Sequence, residues 1–302
     1  MSLSLENISK MINISLASLK IKKIILPSGH ELRSQIHLLM QGSIGSGKSS
    51  LLFQVAKHLK VLPQISITKP TLLGSFDKTT GLMTPPTVWR MRNKMLLVDE
   101  IHFSPKDYAL RDVVDILLQL MEYPEYEKPI GYRCNPFVDP ENTEEMFCIV
   151  KDNIIHCKTR FVFFGNTMYN LKGTDLVEMQ AFISRCIVLP YYPSTEELKV
   201  RIQGKPMFTY KEIKIKEEIV KISKQTEKKI LAFLDRKHVK PSRYMRLYGD
   251  LCRVVAVEGK INEETFELIS ELVDAQEKIL EEKIIKEKVN EIGGCEEWKT
   301  EK

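Results

Sequence analysis

An α/β fold built on a parallel sheet, followed by a smaller helical unit, is what this 302-residue chain predicts. Three observations lead there. Short runs that are apolar on both faces are separated by helix patterns or long connections, as strands of a sheet covered on both sides read. A glycine-rich loop stands between the first such run and a helix pattern. After "LPYYP" the composition changes to helical sequence with interspersed Lys and Glu.

The elements follow in order. "IHLLMQG" is a strand, and a helix runs from Lys48 to about Lys60. "PQISIT" and "KMLLVDE" are strands, "ALRDVVDILLQLME" is an amphipathic helix, and "RFVFFGN" and "CIVLPYY" complete the sheet. Between them "CIVKDNIIHCK" alternates like a β-hairpin with its turn at Asp152-Asn153. Ser194 and Glu197 have capping-box spacing and open the helical unit, which Pro241 interrupts. "EETFELISELVDAQEKILEEKIIKEKV" reads as a long amphipathic helix. The expected division is an N-terminal extension over 1–31, a nucleotide-binding α/β domain over 32–192, a helical lid over 193–290 and a polar tail over 291–302.

Composition narrows the class. At 43% hydrophobic and 28% charged, the chain can bury a core and is not disordered wholesale. A net charge of +5 biases it mildly toward polyanions, far short of a protein that coats nucleic acid. No run reaches the roughly 18 apolar residues of a membrane span, and the first residues lack a secretory layout, so a cytoplasmic, intracellular protein without membrane attachment is expected. The six cysteines form no CxxC pair and read as reduced, often buried thiols.

"GSIGSGKS", residues 42–49, fits G-x-x-x-x-G-K-[ST] at every fixed position. Glycines at 42, 45 and 47 let successive N–H groups turn inward toward phosphate oxygens, and the following helix adds its positive end. The cradle comprises Gly42, Ser43, Ile44, Gly45, Ser46, Gly47, Lys48, Ser49 and Ser50. Lys48 is placed to reach the β- and γ-phosphates of ATP, and the Ser49 hydroxyl to ligate Mg²⁺. In "KMLLVDE" an apolar run delivers Asp99 and Glu100 to a strand tip, where ligands of open α/β sheets sit. Asp99 suits Mg²⁺, and Glu100 suits polarising an attacking water, which argues for hydrolysis rather than binding alone. Asn166 ends a strand so apolar that its amide must be satisfied locally or face the cleft. Arg185 poses a different problem. It stands at the entrance of the apolar run Cys186-Ile187-Val188-Leu189, so it either reaches solvent or meets a negative partner.

Taken together, these motifs resemble the AAA+ ATPases, and in detail the ATPase core of the minichromosome maintenance (MCM) helicases. "LRSQIHLLMQGSIGSGKSSLL" is similar to the MCM stretch leading into the phosphate loop, "AFISRCIVL" to the segment carrying the finger arginine, and "KPSRYMRLYGDLCRVVAV" to the helix carrying the second sensor arginine. Cys186 stands where MCM chains have Phe. The resemblance implies a P-loop NTPase of AAA+ type with a C-terminal helical lid. It further implies catalytic roles for Glu100, Asn166 as first sensor, Arg185 as finger and Arg243 as second sensor, with both arginines acting on a neighbour's ATP in a homo-oligomeric ring, most often a hexamer. On that reading the partner of Arg185 is absent from its own chain.

The same resemblance implies a DNA helicase or translocase core in replication, with single-stranded DNA in the pore. "TLLGSFDKTTGLMTPPTVWR" occupies the position of an inserted hairpin, and Lys151 or Lys128 is a candidate contact to the DNA backbone. "IVKDNIIHCKTRFVFFGNT" is also similar to MoxR-type AAA+ proteins, so a protein-remodelling ATPase is an alternative, as is an ATP-dependent helicase loader. The long C-terminal helix is a surface for packing on the lid or for a protein partner.

Overall fold

The computed structural model describes residues 2–64, 67–68, 71–72, 74–76, 83–84, 87, 91–101, 108–122, 125–129, 148–151, 154–158, 160–167, 180–204 and 206–276. At some of these, Glu100 and Lys151 among them, it describes the backbone alone. The expected turn at 152–153, the middle of the insertion after Thr71 and the sequence beyond 276 lie outside the described residues.

Strands β3 (His37–Gln41), β6 (Met95–Ile101), β10 (Val162–Thr167) and β11 (Cys186–Pro190) form one all-parallel sheet in the order β11-β3-β10-β6. Gln64 adds a single parallel bridge to Val98 at the β6 edge, which is what the described residues contain of the strand expected in "PQISIT". Because strand side chains alternate, each strand feeds two cores. Leu38, Met40, Met95, Leu97, Val162, Phe164, Ile187 and Leu189 join one. Leu39, Leu96, Val98, Phe161, Phe163, Cys186 and Val188 join the other. This is an α/β architecture with helices on both faces, as the two-sided apolar runs predict.

The first face is covered by α1 (Leu5–Ser18), α2 (Lys48–Leu59) and the helical unit; the second by α3 (Tyr108–Glu122) and a helical stretch over 180–185. α3 buries Val113, Ile116, Leu117, Leu120 and Met121, a one-sided spacing that fits a helix lying flat on a sheet. Helix α1 is more than an extension. Ile8, Met11, Ile12 and Ile14 lie in the same core as Phe233 and Leu247 of the helical unit.

The region after 193 departs from the all-helical expectation. α4 (Thr195–Ile202) opens with the capping box: the Ser194 N–H donates to Glu197 Oε2 at 2.7 Å and the Glu197 N–H to Ser194 Oγ at 3.2 Å. The chain then runs extended across α1, held by polar side chains that α1 buries. The Asn13 amide donates to the Thr209 carbonyl at 3.0 Å and accepts the Lys211 N–H at 3.2 Å. The run ends in β12 (Ile219–Lys221), parallel to β1 (Lys23–Ile25), which pairs antiparallel with β2 (Glu31–Leu32). Helices α5 (Lys224–Arg236) and α6 (Pro241–Glu258) follow, Pro241 taking the first turn of α6, where its missing N–H costs nothing. Residues 263–276 are helical.

Two small antiparallel units complete the description. β4 (Ser75–Phe76) and β5 (Met83–Thr84) form a hairpin within the expected insertion. β8 (Cys148–Lys151) and β9 (Ile154–Lys158) form the other predicted hairpin, and β7 (Glu125–Pro129), a strand not expected from the sequence, pairs with the other side of β9. The register separates the two candidate DNA contacts. Lys128 shares a cross-strand row with Ile155 and Val150, and Lys151 one with Ile154 and Pro129.

Candidate functional site

The phosphate-type loop emerges from the C-terminal end of β3, a central strand, and runs into α2. Gly45 and Gly47 adopt φ of +77° and +88°, the left-handed region that glycine enters without a steric penalty. Gly42 serves by closeness: a Cβ there would stand 2.2 Å from the Tyr191 carbonyl oxygen. Gly47 caps α2 without a side-chain hydrogen bond. Lys48 is buried, its Nζ 2.8 Å from the Gly42 carbonyl and 2.7 Å from that of Ser43. These carbonyls turn toward the ammonium, and Ser49 and Ser50 are exposed on the first turn. Ile44 stands out at the loop tip, 79% exposed.

The carboxylate side of the site is built by strand alternation. Met95 and Leu97 point into the face that α2 covers, so Asp99 falls on that face too; Val162 and Phe164 do the same for Asn166. α2 packs across β10 and β6, the two strands that carry these residues. Asn166 Nδ2 donates to Asp99 Oδ1 at 3.1 Å. Since a carboxylate only accepts, that bond fixes the amide orientation and leaves Asn166 Oδ1 as an acceptor. Asn166 is 2% exposed, and its Oδ1 has no hydrogen-bond donor among the described residues. Leaving such an atom unsatisfied costs about 1–3 kcal/mol, which a donor arriving from a ligand or water would relieve.

The ladder between β10 and β6 shifts register here. Gly165 opposes Val98 and Thr167 opposes Ile101, so Asn166 faces the two residues Asp99 and Glu100. Such a bulge re-aims side chains and terminates pairing, and it places Glu100 beside the Asp99–Asn166 pair along the backbone. β10 lies between β3 and β6, so the loop and Asp99 are separated by two strand spacings, about 10 Å. The Ser49 hydroxyl, the Asp99 carboxylate and the Asn166 carbonyl oxygen are hard oxygen ligands, and the glycine-rich loop stands at the N-terminus of α2. That chemistry fits a polyphosphate with a divalent cation such as Mg²⁺.

Arg185 is elsewhere, and it corrects an expectation. It precedes β11 at the N-terminal edge of the sheet, roughly 16 Å of strand from the level of Gln41, the last residue before the loop. Its partner is in its own chain: Nε donates to Glu122 Oε2 at 2.8 Å, and NH1 to the Ala181 carbonyl at 2.8 Å. The amphipathic pattern of α3 ends at Glu122, and nothing in the local sequence ties that residue to a position 63 residues on.

Arg243 is 5% exposed at the start of α6, its NH1 3.2 Å from Asp274 Oδ1 within the helical unit. Other residues that the sequence reading did not single out dock this unit on the sheet edge. Arg246 NH2 donates to the Cys186 carbonyl at 2.8 Å and to Gln276 Oε1 at 3.0 Å, and Gln276 Nε2 to the Ile183 carbonyl at 2.8 Å. Arg253 donates to the Arg33 carbonyl at 3.0 Å and to Asp250 at 2.6 Å. Arg246, Asp250 and Arg253 recur at one-turn spacing on α6, the signal by which this face could have been found.

His37, at the foot of β3, is held neutral. Burial above all, and then the positive charges of Arg33 and Arg253, push its pKa down to about 3, against a weaker pull from the Met121 carbonyl. Its Nδ1 accepts the Phe163 N–H at 3.0 Å, so the ring proton sits on Nε2. Cys186 and Cys252 are buried free thiols, the second pushed up to about 11 chiefly by burial. Among the described residues no helix is long and apolar enough to cross a membrane, and no cluster of three His, Cys, Asp or Glu residues could hold a metal. No protein-family model matches the chain, and comparison with characterised proteins returns no significant match.

Proposed function

We propose that this chain is an ATP-hydrolysing motor of AAA+ type, an MCM-like DNA helicase or translocase core that works as a ring. The observation that carries this reading is the pairing of a Gly-rich loop and Lys48 at the end of β3 with the Asp99–Asn166 hydrogen bond on the same face of the sheet. In it, residues 42–50 hold the phosphates of ATP, and Ser49 and Asp99 hold Mg²⁺, which when bound neutralises charge on the phosphates. Lys48 leaves the loop carbonyls for the β- and γ-phosphates. Glu100 takes a proton from the water whose oxygen attacks the γ-phosphorus, the bond to the bridging oxygen breaks and ADP leaves, and Asn166 Oδ1 orients that water by accepting a hydrogen bond from its other O–H.

Arg185 then completes the site of a neighbouring copy. The distance from the sheet's N-terminal edge to its C-terminal tips keeps it from its own loop. A guanidinium serves because its planar fork binds phosphate oxygens in pairs and keeps its charge. The hairpins of β4-β5 and β8-β9 are the elements assigned to DNA, with Lys151 or Lys128 as the contact to its backbone.

Mixing two inactive proteins tests the shared site. Lys48→Ala chains supply Arg185 without an ATP site of their own, and Arg185→Ala chains supply the site without the finger. Part of the turnover should return on mixing, and a mixture as inactive as its components would contradict the shared site.

A further inference from the structure

We propose that Glu122 is a positioning residue for Arg185, setting the plane in which the guanidinium meets a neighbour's phosphates. The proposal rests on the ATPase reading above and adds to it a residue on a different element, the last position of α3.

Glu122 Oε2 accepts Nε of Arg185 at 2.8 Å and lies 3.4 Å from Arg33 NH2. A carboxylate in the last turn of a helix opposes the helix dipole, and α3 has no basic residue there to offset it. The compensation comes from Arg33 and Arg185, which arrive from other elements. The Arg185 guanidinium is fastened on two sides, by Glu122 at Nε and by the Ala181 carbonyl at NH1. These two bonds use Nε–H and one hydrogen of NH1. Among the described residues NH2 and the second NH1 hydrogen have no further partner, and the side chain is 30% exposed, so the guanidinium retains donors for a phosphate. Glu122 and a phosphate can therefore be held at once, the first from the side and the second end-on. Arg185 and Glu122 also line a cavity of about 330 Å³, together with Arg33, His37, Arg246 and Asp250.

A finger acts only when its aim is right, and misplacement by about 1 Å can cost on the order of a hundredfold. Glu122→Ala should lower kcat for ATP about tenfold with KM unchanged, because the nucleotide is bound by the other subunit's loop. Glu122→Gln keeps an acceptor oxygen at the same length and should recover most of the loss. In an Arg185→Ala background, Glu122→Ala should have no further effect on kcat.

Thermal melts of each variant separate folding from aim, and the isosteric Gln variant keeps the comparison available should the Ala variant melt early. An equal kcat loss for Glu122→Ala with and without Arg185 would overturn the assignment, as would unchanged kcat in Glu122→Ala beside a depressed Arg185→Ala. Wild-type turnover in Arg185→Ala would overturn the finger reading itself, and the assignment with it.

Discussion

Asn166 Nδ2 donates to Asp99 Oδ1 at 3.1 Å, joining the tips of two parallel strands where the ladder between them breaks register. The bond does two things. It points Asp99 along the face under α2, and it commits the Asn166 amide so that its oxygen is the end left for a ligand. Asn166→Ala should therefore lower ATP turnover by about a hundredfold, the scale of a lost proton-positioning group, while ATP affinity stays within about threefold. Steady-state turnover and fluorescent-nucleotide titration check the two halves separately. A large loss of affinity instead would make Asn166 a binding residue.

Gly42 faces the Tyr191 carbonyl so closely that a methyl group would stand 2.2 Å from it. A backbone oxygen cannot swing aside like the end of a flexible side chain, so Gly42→Ala must shift β11 or the loop. Urea unfolding should register a loss of roughly 1–3 kcal/mol, and ATP binding should weaken with it. Unaltered stability and binding would mean that the loop has slack there.

His37 makes a prediction about acid. Its folded pKa of about 3 lies below the ordinary 6.5, so between these values the unfolded chain carries a proton that the folded chain refuses. Stability from this source is complete above the ordinary pKa and declines as pH falls toward the folded one. By about pH 5 the loss should be about 2 kcal/mol. Unfolding of wild type and His37→Asn at about pH 7.5 and about pH 5 isolates it, because the Asn variant retains an acceptor for the Phe163 N–H and cannot titrate. Equal acid sensitivity in the two proteins would remove His37 as its source.

What the sequence made legible is the part of the fold governed by local rules. β3, β6, β10 and β11 are apolar on both faces and announce a covered parallel sheet; Ser194 and Glu197 announce a helix start. α1 was harder to read because Ser9, Asn13, Ser15 and Ser18, polar residues expected outside, are buried. Their partners are remote in sequence: Ser15 donates to the Ile36 carbonyl at 2.6 Å, and Asn13 to that of Thr209. β1 pairs with β12 across most of the chain, so neither strand signals the other, and the extended stretch before β12 is rich in the Lys and Glu that elsewhere mark helix. In the candidate site, loop, carboxylates and Asn166 were legible because chemistry dictates their spacing. Glu122 was not, because an ion pair between two elements is decided by packing.

ATP turnover per chain, followed across protein concentration with and without single-stranded DNA, bears on the nucleotide site, the shared finger and the substrate together. A ring that completes each site with a neighbour's Arg185 and translocates on DNA should turn over faster per chain as concentration rises through assembly, and faster again when the strand is added. Turnover per chain that stays flat with concentration and unchanged by DNA would contradict it.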